Sequence, residues 1–317
     1  MSRNGGFWMK VLVTGGAGFI GSHLVHLLLA FGHDVTVLDN LSTGMREHLP
    51  VAGFTFWEMD VRSPEARERI VAGHFDAIVH LAGQTMVDAS ICDPHFDASE
   101  NLLGTVNVLE AARQSGVGRV IFASTAAAYG DVMEDELPVA EGLPLAPLSF
   151  YGLTKVTVER YLALYQRLYG LDYVVLRFAN VFGERQGDKG EGGVISIFAK
   201  RIVRGDGVTI FGDGGQTRDF IYAGDVARGI VQALVTEHVN TAYNLSTQTE
   251  TSLNDLVRIF GEVVGKDLKP KHGTAREGDI YRSVLANEKA RKGLGWQPVT
   301  SLQEGLRRTV EYFRQVQ

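Results

Sequence analysis

Thr14-Gly15-Gly16-Ala17-Gly18-Phe19-Ile20-Gly21 is the stretch that decides the fold. It follows a short apolar run, 10–14, that reads as a strand, and it opens a run, 19–31, that reads as a helix. Its glycines at 15, 18 and 21 have a G-x-x-G-x-x-G spacing. Glycine allows a tight turn and close approach of backbone to a pyrophosphate, and the helix N-terminus meets that charge with free N–H groups. A glycine run alone is weak evidence. Set between strand and helix, it points to a dinucleotide loop rather than a merely structural turn.

Outward from this loop, strands and helices alternate. Strands are expected at 35–38, 54–59, 77–81, 120–123 and 173–178. Helices are expected at 64–72, after a Ser63 cap with Pro64 in the first turn, and at 98–114 and 151–169. Near-continuous apolar strands separated by helices indicate a parallel sheet covered on both faces, the doubly wound, Rossmann-type α/β class. Past residue 180 the texture changes. A polar, Gly-rich loop at 184–193 precedes a helix at 194–204, a strand at 208–211, a helix at 225–237 and a strand at 242–245. Helices at 253–264, 287–292 and 302–314 follow. The expected division is a dinucleotide-binding domain over 1–180, rejoined by the segment at about 220–247, and a smaller α/β domain over 181–317 that closes over a crevice.

Composition agrees with this. At ~150 residues per domain, 317 residues make about two domains. Thirty-one Lys and Arg against 37 Asp and Glu leave a formal charge of −6, without the broad basic footprint of a general nucleic-acid binder. Apolar residues at 45% and charged residues at 21% exclude wholesale disorder. Cys92 is the only cysteine, so an intramolecular disulfide and cysteine-based zinc fingers are excluded, and no metal is expected. The first eight residues lack an apolar signal core, and Ser22, His23 and His26 interrupt 19–31, which is too short to span a bilayer. The expectation is a soluble, cytoplasmic protein.

Several polar residues fall where such a sheet binds ligands. Asp39 ends the second strand, 18 residues after Gly21. A carboxylate there accepts both ribose hydroxyls and repels a 2′-phosphate, which favours NAD over NADP. With Asn40, Ser42 and Thr43 following, it could equally cap a turn. Asp60 ends the third strand, and could bond the adenine amino group or cap the helix after Ser63. Tyr151 and Lys155 stand at i and i+4 on one helix face. A phenol of pKa ~10 is a poor base at neutral pH, and lowering it by about 3–4 units needs roughly 4–5 kcal/mol. A nearby ammonium and an oxidised nicotinamide supply that kind of stabilisation. Ser124 and Thr125 end the fifth strand; either hydroxyl could bond a reacting alcohol, or cap a turn. His80 closes an apolar strand and reads as a core histidine.

These motifs together resemble the extended short-chain dehydrogenases/reductases, and most of all the UDP-glucose 4-epimerases. The resemblance runs through Gly15–Gly21, Asp39-Asn40-Leu41-Ser42-Thr43-Gly44, His80-Leu81-Ala82-Gly83-Gln84, Asn101 with Gly104-Thr105, and Ser124-Thr125. It continues through Tyr151 with Lys155, Arg177–Gly183, Gln216–Phe220 and Arg276-Glu277-Gly278-Asp279, so it covers nearly the whole chain. It implies NAD as cofactor and a UDP-hexose as substrate, oxidised at C4 to a keto sugar and reduced again. Tyr151 would be the base, Lys155 would lower its pKa and hold the nicotinamide ribose, and Thr125 would bond the alcohol, with Ser124 beside it. Phe19, Ile20, Asp60, Val61, Leu81, Ala82, Gln84 and Asn101 would line the cofactor with the Asp39–Gly44 segment. Asn180, Val194, Thr209, Phe211, Arg218, Arg276 and Asp279 would meet the substrate, the arginines through bidentate bonds to its diphosphate. Bland alternatives stay open: ion pairs with Asp219 or Asp279 for the arginines, a turn for Asn180, core for Phe211.

The resemblance also implies a homodimer that pairs helices 98–114 and 151–169. Leu162, Leu164, Tyr165 and Leu168 suit that, or packing on the sheet. The family usually has Ala where Gly83 stands, Pro where Glu184 stands, and an aromatic or Cys gate near Ser283. A small Ser283 leaves room for an N-acetyl group and extends the expectation to UDP-GlcNAc and UDP-GalNAc. Related dehydratases and decarboxylases carry carboxylates just after the strand-end Thr; here stand Ala126-Ala127-Ala128, which cannot transfer protons. That favours epimerisation over a UDP-sugar lyase or a non-catalytic NAD-binding protein on the same fold.

Overall fold

The expected alternation builds one seven-stranded sheet in the computed structural model, which describes residues 8–187, 192–275 and 280–316. Its first half runs β1 (Lys10–Thr14), α1 (Phe19–Ala30), β2 (Asp34–Asp39), β3 (Phe54–Glu58), α2 (Pro64–Gly73) and β4 (Ala77–His80). Next come α3 (Val87–Cys92), α4 (Pro94–Ala98), α5 (Gly104–Ser115), β5 (Arg119–Thr125), α6 (Phe150–Tyr169) and β6 (Asp172–Phe178). The second half adds β7 (Asn180–Phe182), α7 (Val194–Arg204), β8 (Thr209–Phe211), β9 (Thr217–Arg218), β10 (Phe220–Tyr222), α8 (Ala223–Val235) and β11 (Thr241–Leu245). It ends with β12 (Thr251–Ser252), α9 (Leu253–Val264), β13 (Lys271–Gly273), α10 (Glu288–Gly293) and α11 (Leu302–Gln315).

The sheet order is β11-β6-β5-β4-β1-β2-β3, with every pairing parallel. Strand order reverses between β1 and β4, which opens a crevice at their carboxyl ends, the place where such sheets bind ligands. Because side chains alternate along a strand, each strand feeds two cores. Val11, Val13, Val79, Ile121 and Val174 pack with Leu24 and Leu28 of α1 and Ile230 of α8. Leu12, Ile78, Val120, Phe122 and Val175 pack with Ile70 of α2, Leu109 of α5 and Val158 of α6. A third core, with Phe182, Phe198, Ile210, Phe260 and Leu306, belongs to the later elements.

Strand β11 pairs with β6, so the segment near 242–245 does enter the main sheet. Three small pairings lie outside it, β7 with β10, β9 with β12 and β8 with β13. Their two- and three-residue strands are too short to carry a period, and most went unseen in the sequence. One expected element is corrected. The single helix over 98–114 is α4, a π-helical turn at Ser99–Leu103, and then α5. The π turn carries one residue more than an α turn and re-aims what precedes it. The apolar positions of α6 divide: Leu162 and Tyr165 are core, while Leu164 and Leu168 face outward. No described helix is long and apolar enough to cross a membrane.

Candidate active site

The glycine loop is a cradle made by leaving side chains out. A Cβ on Gly15, whose φ is +69°, would sit 2.6 Å from the Ala82 nitrogen and 2.8 Å from the Leu81 carbonyl carbon. A Cβ on Gly21 would run into the Gly15 carbonyl oxygen. Gly18 starts α1 with no side-chain cap, and no acid stands in the first turn. In contrast, Ser63 caps α2 and Ser149 caps α6. The N–H groups at the start of α1, from Phe19, Ile20 and Gly21, are thus left to an outside anion, and the pyrophosphate of NAD fits them.

Asp39 closes this cradle. Its Oδ2 accepts from the Ala17 N–H (2.9 Å) and its Oδ1 from the Leu41 N–H (2.8 Å). The turn role is therefore real. Each carboxylate oxygen keeps a further lone pair, so a ribose hydroxyl can share it. Burial pushes the Asp39 carboxyl up, and the backbone donors pull it back. Gly44 lies against it, where a Cβ would stand 3.0 Å from Oδ1. Asn40 accepts from the Ser42 N–H and donates to Asp60, with Ser42 and Thr43 exposed beyond it. Asp60 does not cap α2, which Ser63 does. Its two oxygens accept from Arg62 Nε and Nη2 (2.9 and 2.6 Å), which holds the carboxyl down at about 2. Arg62 reaches on to Glu100 and Ser99 in the π turn. Val61 is buried beside Gly104.

A directed chain of hydrogen bonds crosses the crevice floor. The Thr105 hydroxyl donates to the Asn101 carbonyl, so it must accept from His80 Nε2–H (2.9 Å). His80 Nδ1 then accepts from Thr14 (2.7 Å), and Thr14 accepts from the Ala82 N–H. This network assigns the tautomer. Burial, then the Lys155 charge, lowers His80 to about 3, so it stays neutral. It is the core histidine the sequence suggested.

The side chains expected to react gather at the carboxyl end of β5. Lys155 is 4% exposed; its Nζ donates to the Ala123 carbonyl (3.1 Å) and sits 5.8 Å from the Tyr151 ring centre. Burial lowers it to about 8, against which Asp97 raises it. Thr125 Oγ1 accepts from the Ala127 N–H (3.1 Å) and keeps its own proton to donate, so capping and alcohol binding are compatible. Ser124 is corrected. Successive strand residues face opposite ways, and its buried hydroxyl donates to Glu159 (2.6 Å), which pairs with Arg177 at 2.6 Å. Arg177 continues to Tyr129, and Tyr129 to Asn244. Ser124 therefore serves the interior.

The sequence reading missed Asp97, which is fully buried. Its Oδ1 accepts from Gln84 Nε2 (2.8 Å) and Asn101 Nδ2 (3.0 Å), and its Oδ2 from the Thr154 hydroxyl (2.9 Å). Asn101 thereby turns its nitrogen to Asp97, leaving its buried Oδ1 without a partner. That oxygen lies 2.5 Å from where a Gly83 Cβ would be, with Lys155 Nζ 3.7 Å from the same point. Gly83 thus makes room for an oxygen that the family's usual Ala would crowd. The only cue to Asp97 was its four-residue spacing from Asn101, and the expected helix began one residue too late to include it.

Toward the other side of the crevice the sequence-derived residues are more scattered. Asn180 is half-buried in β7, its N–H donating to the Asp219 carbonyl (2.9 Å). Val194 opens α7 and Thr209 opens β8. Phe211 is 42% exposed and is not core. Arg218 donates to the Thr217 carbonyl. Its neighbour Asp219 faces inward, accepting from Thr247, Gln248 and Leu285, and burial pushes it up to about 6. Arg276 and Asp279 lie outside the described residues. Glu184 has a job no proline could do, since its carboxylate accepts from the Tyr222 hydroxyl at 2.9 Å.

Fold and site together define a dinucleotide-binding α/β protein, and the chain belongs to the NAD dependent epimerase/dehydratase family, which it matches over residues 11–246. Within that family it is similar to the UDP-glucose 4-epimerase of Mycolicibacterium smegmatis, at 41% identity over 96% of this chain and 99% of that one. The structure of UDP-glucose 4-epimerase with UDP-glucose from Thermotoga maritima aligns with a TM-score of 0.93 at 42% identity, covering 96% and 99% of the two chains. The Thermus thermophilus UDP-glucose 4-epimerase in complex with NAD aligns with a TM-score of 0.88 at 43% identity, covering 97% and 99%.

Proposed function

We infer that this chain is an isomerase, an NAD-dependent 4-epimerase that interconverts UDP-glucose and UDP-galactose. The observation that carries the reading is the Tyr151–Lys155 pair set against β5 by the Ala123 carbonyl, with Thr125 at the end of that strand followed by three alanines where a lyase needs proton-transferring side chains. NAD held at the glycine cradle would supply the hydride acceptor and donor for the sugar C4. Tyr151 removes the C4 hydroxyl proton and later returns it. Lys155 supports the phenolate, and Thr125 holds the reacting oxygen. Epimerisation asks only that the keto sugar present its other face before reduction.

The uncapped start of α1, Asp39, and the loop from Leu81 to Gln84 support NAD binding at Gly15, Gly18, Gly21 and Asp39–Gly44, with Asp60, Val61 and Asn101. The exposed Phe211 ring and Arg218 support a nucleotide diphosphate held by the later elements from about residue 181, with Asn180, Val194, Thr209, Arg276 and Asp279. The small Ser283 supports acceptance of N-acetylated sugars. Outward-facing Leu103, at the end of the π turn before α5, and Leu153, Leu164 and Leu168 on α6 support a homodimer built on α5 and α6. We assign its action to the cytoplasm.

The test is incubation of purified protein with UDP-galactose, and separately with UDP-GalNAc, without added reductant, followed by NMR of the sugar signals. Appearance of the gluco isomers with mass unchanged is the expected result. Loss of water from either sugar, or of carbon dioxide from UDP-glucuronate in a parallel incubation, would favour a lyase instead. If UDP-GalNAc turns over equally well after Ser283→Tyr, the pocket argument fails.

A further inference from the structure

We propose that Asp97 is a positioning residue for the reaction, the buried counter-charge that keeps the Lys155 ammonium protonated and directed at Tyr151. The inference rests on the epimerase reading of the site and goes beyond it. A support for the phenolate must be a cation, yet Lys155 is 4% exposed, and burial favours the neutral amine. Something must oppose that loss.

Among the described residues, the charged and titratable groups around Lys155 leave one source. From β4, His80 is neutral, its Nδ1 taken by Thr14 and its Nε2–H by Thr105. From β5 come the Phe122 ring, 5.0 Å away, and the Ala123 carbonyl. On its own helix, Tyr151 is the reacting group, and Glu159, one turn on, is matched by Arg177 and Ser124. Asp97, on α4, is a fully buried carboxylate, and its three donors, Gln84, Asn101 and Thr154, are all neutral. Its negative charge is not cancelled by its own partners and acts on Lys155, whose affinity for the proton it raises. It acts by geometry too. Thr154, which it holds, directly precedes Lys155, and Asn101, which it orients, points an unpartnered oxygen into the space beside Lys155 Nζ.

Asp97→Asn tests this cleanly. An amide nitrogen at the Oδ2 position can donate to Thr154, whose hydroxyl then donates to the Tyr151 carbonyl already at 2.9 Å. Shape and hydrogen bonds survive while the charge goes. Two measurements on the NAD-loaded protein read the effect. One is NMR titration of the Lys155 13Cε signal in 13C-lysine-labelled protein, assigned with Lys155→Met. The other is the pH profile of kcat/KM for UDP-galactose. Removing a unit charge from this poorly solvated site is expected to lower the Lys155 midpoint by ~1 pH unit and carry the alkaline limb of the profile with it. Asp97→Ser, which also removes the charge, serves if the amide variant does not fold. A lower plateau with both the midpoint and the limb unmoved would assign Asp97 a purely structural role and overturn the proposal. Wild-type protein that fails to convert UDP-galactose would overturn the epimerase reading instead, while the NMR midpoint would still decide the role of Asp97.

Discussion

Helices α1 and α6 both start at the crevice and solve opposite problems. Helix α1 works through what it lacks, with a glycine at its N-cap, no acid in its first turn and bare N–H groups. Helix α6 is closed by Ser149, whose side chain accepts from the Gly152 N–H at 3.1 Å. With its N-terminus capped, it presents side chains at positions 151, 154 and 155. On the proposed reading the first binds by main chain, so it tolerates little added bulk. The second depends on exact groups, each held by a neighbour from another element.

Removing the phenol should have the largest effect. Tyr151→Phe is expected to lower kcat by ~10³-fold or more, the scale of a lost general acid–base, with NAD content unchanged by absorbance after denaturation. A variant that kept a tenth of the activity would break the assignment of chemistry to α6. On α1, Gly21→Ala brings a methyl against the Gly15 carbonyl and should weaken NAD binding by ~10²-fold in calorimetric titration. Unchanged affinity would mean that the cradle is not where the pyrophosphate binds.

Adjacent residues of β5 sharpen the contrast. Thr125→Val should cost ~10–100-fold in kcat with little change in stability, since it removes one hydrogen bond to the reacting oxygen. Ser124→Ala should leave kcat near wild type but cost ~1–3 kcal/mol in urea denaturation, because Glu159 loses a buried donor. The smallest effect belongs to Arg62→Leu. Asp60 sits at about 2, below its unfolded value, so the pair stabilises the fold above that value and the benefit is lost as pH falls through about 2. Both groups are partly exposed, so ~1 kcal/mol or less is expected at pH 7, fading toward pH 2 and absent below it.

The same contrast explains what could be read in advance. The main strands and α1 were legible because apolar runs and glycine spacing are local signals. The Tyr151–Lys155 pair was legible because i and i+4 share a helix face. Ser124 and Thr125 looked interchangeable until the β5 register showed them facing opposite sides. Asp97 and Glu159 were missed because their meaning lies in partners on other elements, 57 residues away for Thr154 and 18 for Arg177. The breadth of the family resemblance supplied the substrate class, which no local pattern carried.

The π turn at Ser99–Leu103 bears on how this chain can vary in length. An α-helix advances each residue by about 100° around its axis, so deleting one residue there would turn everything before it by that angle. Asp97 would swing away from Thr154 while the fold as a whole still formed. Substitutions around the turn should be absorbed by packing, whereas a single-codon deletion should yield a folded protein with a disconnected lysine. Loop insertions elsewhere on the surface carry no such penalty, which makes these five residues a fixed spacer between two parts of the site.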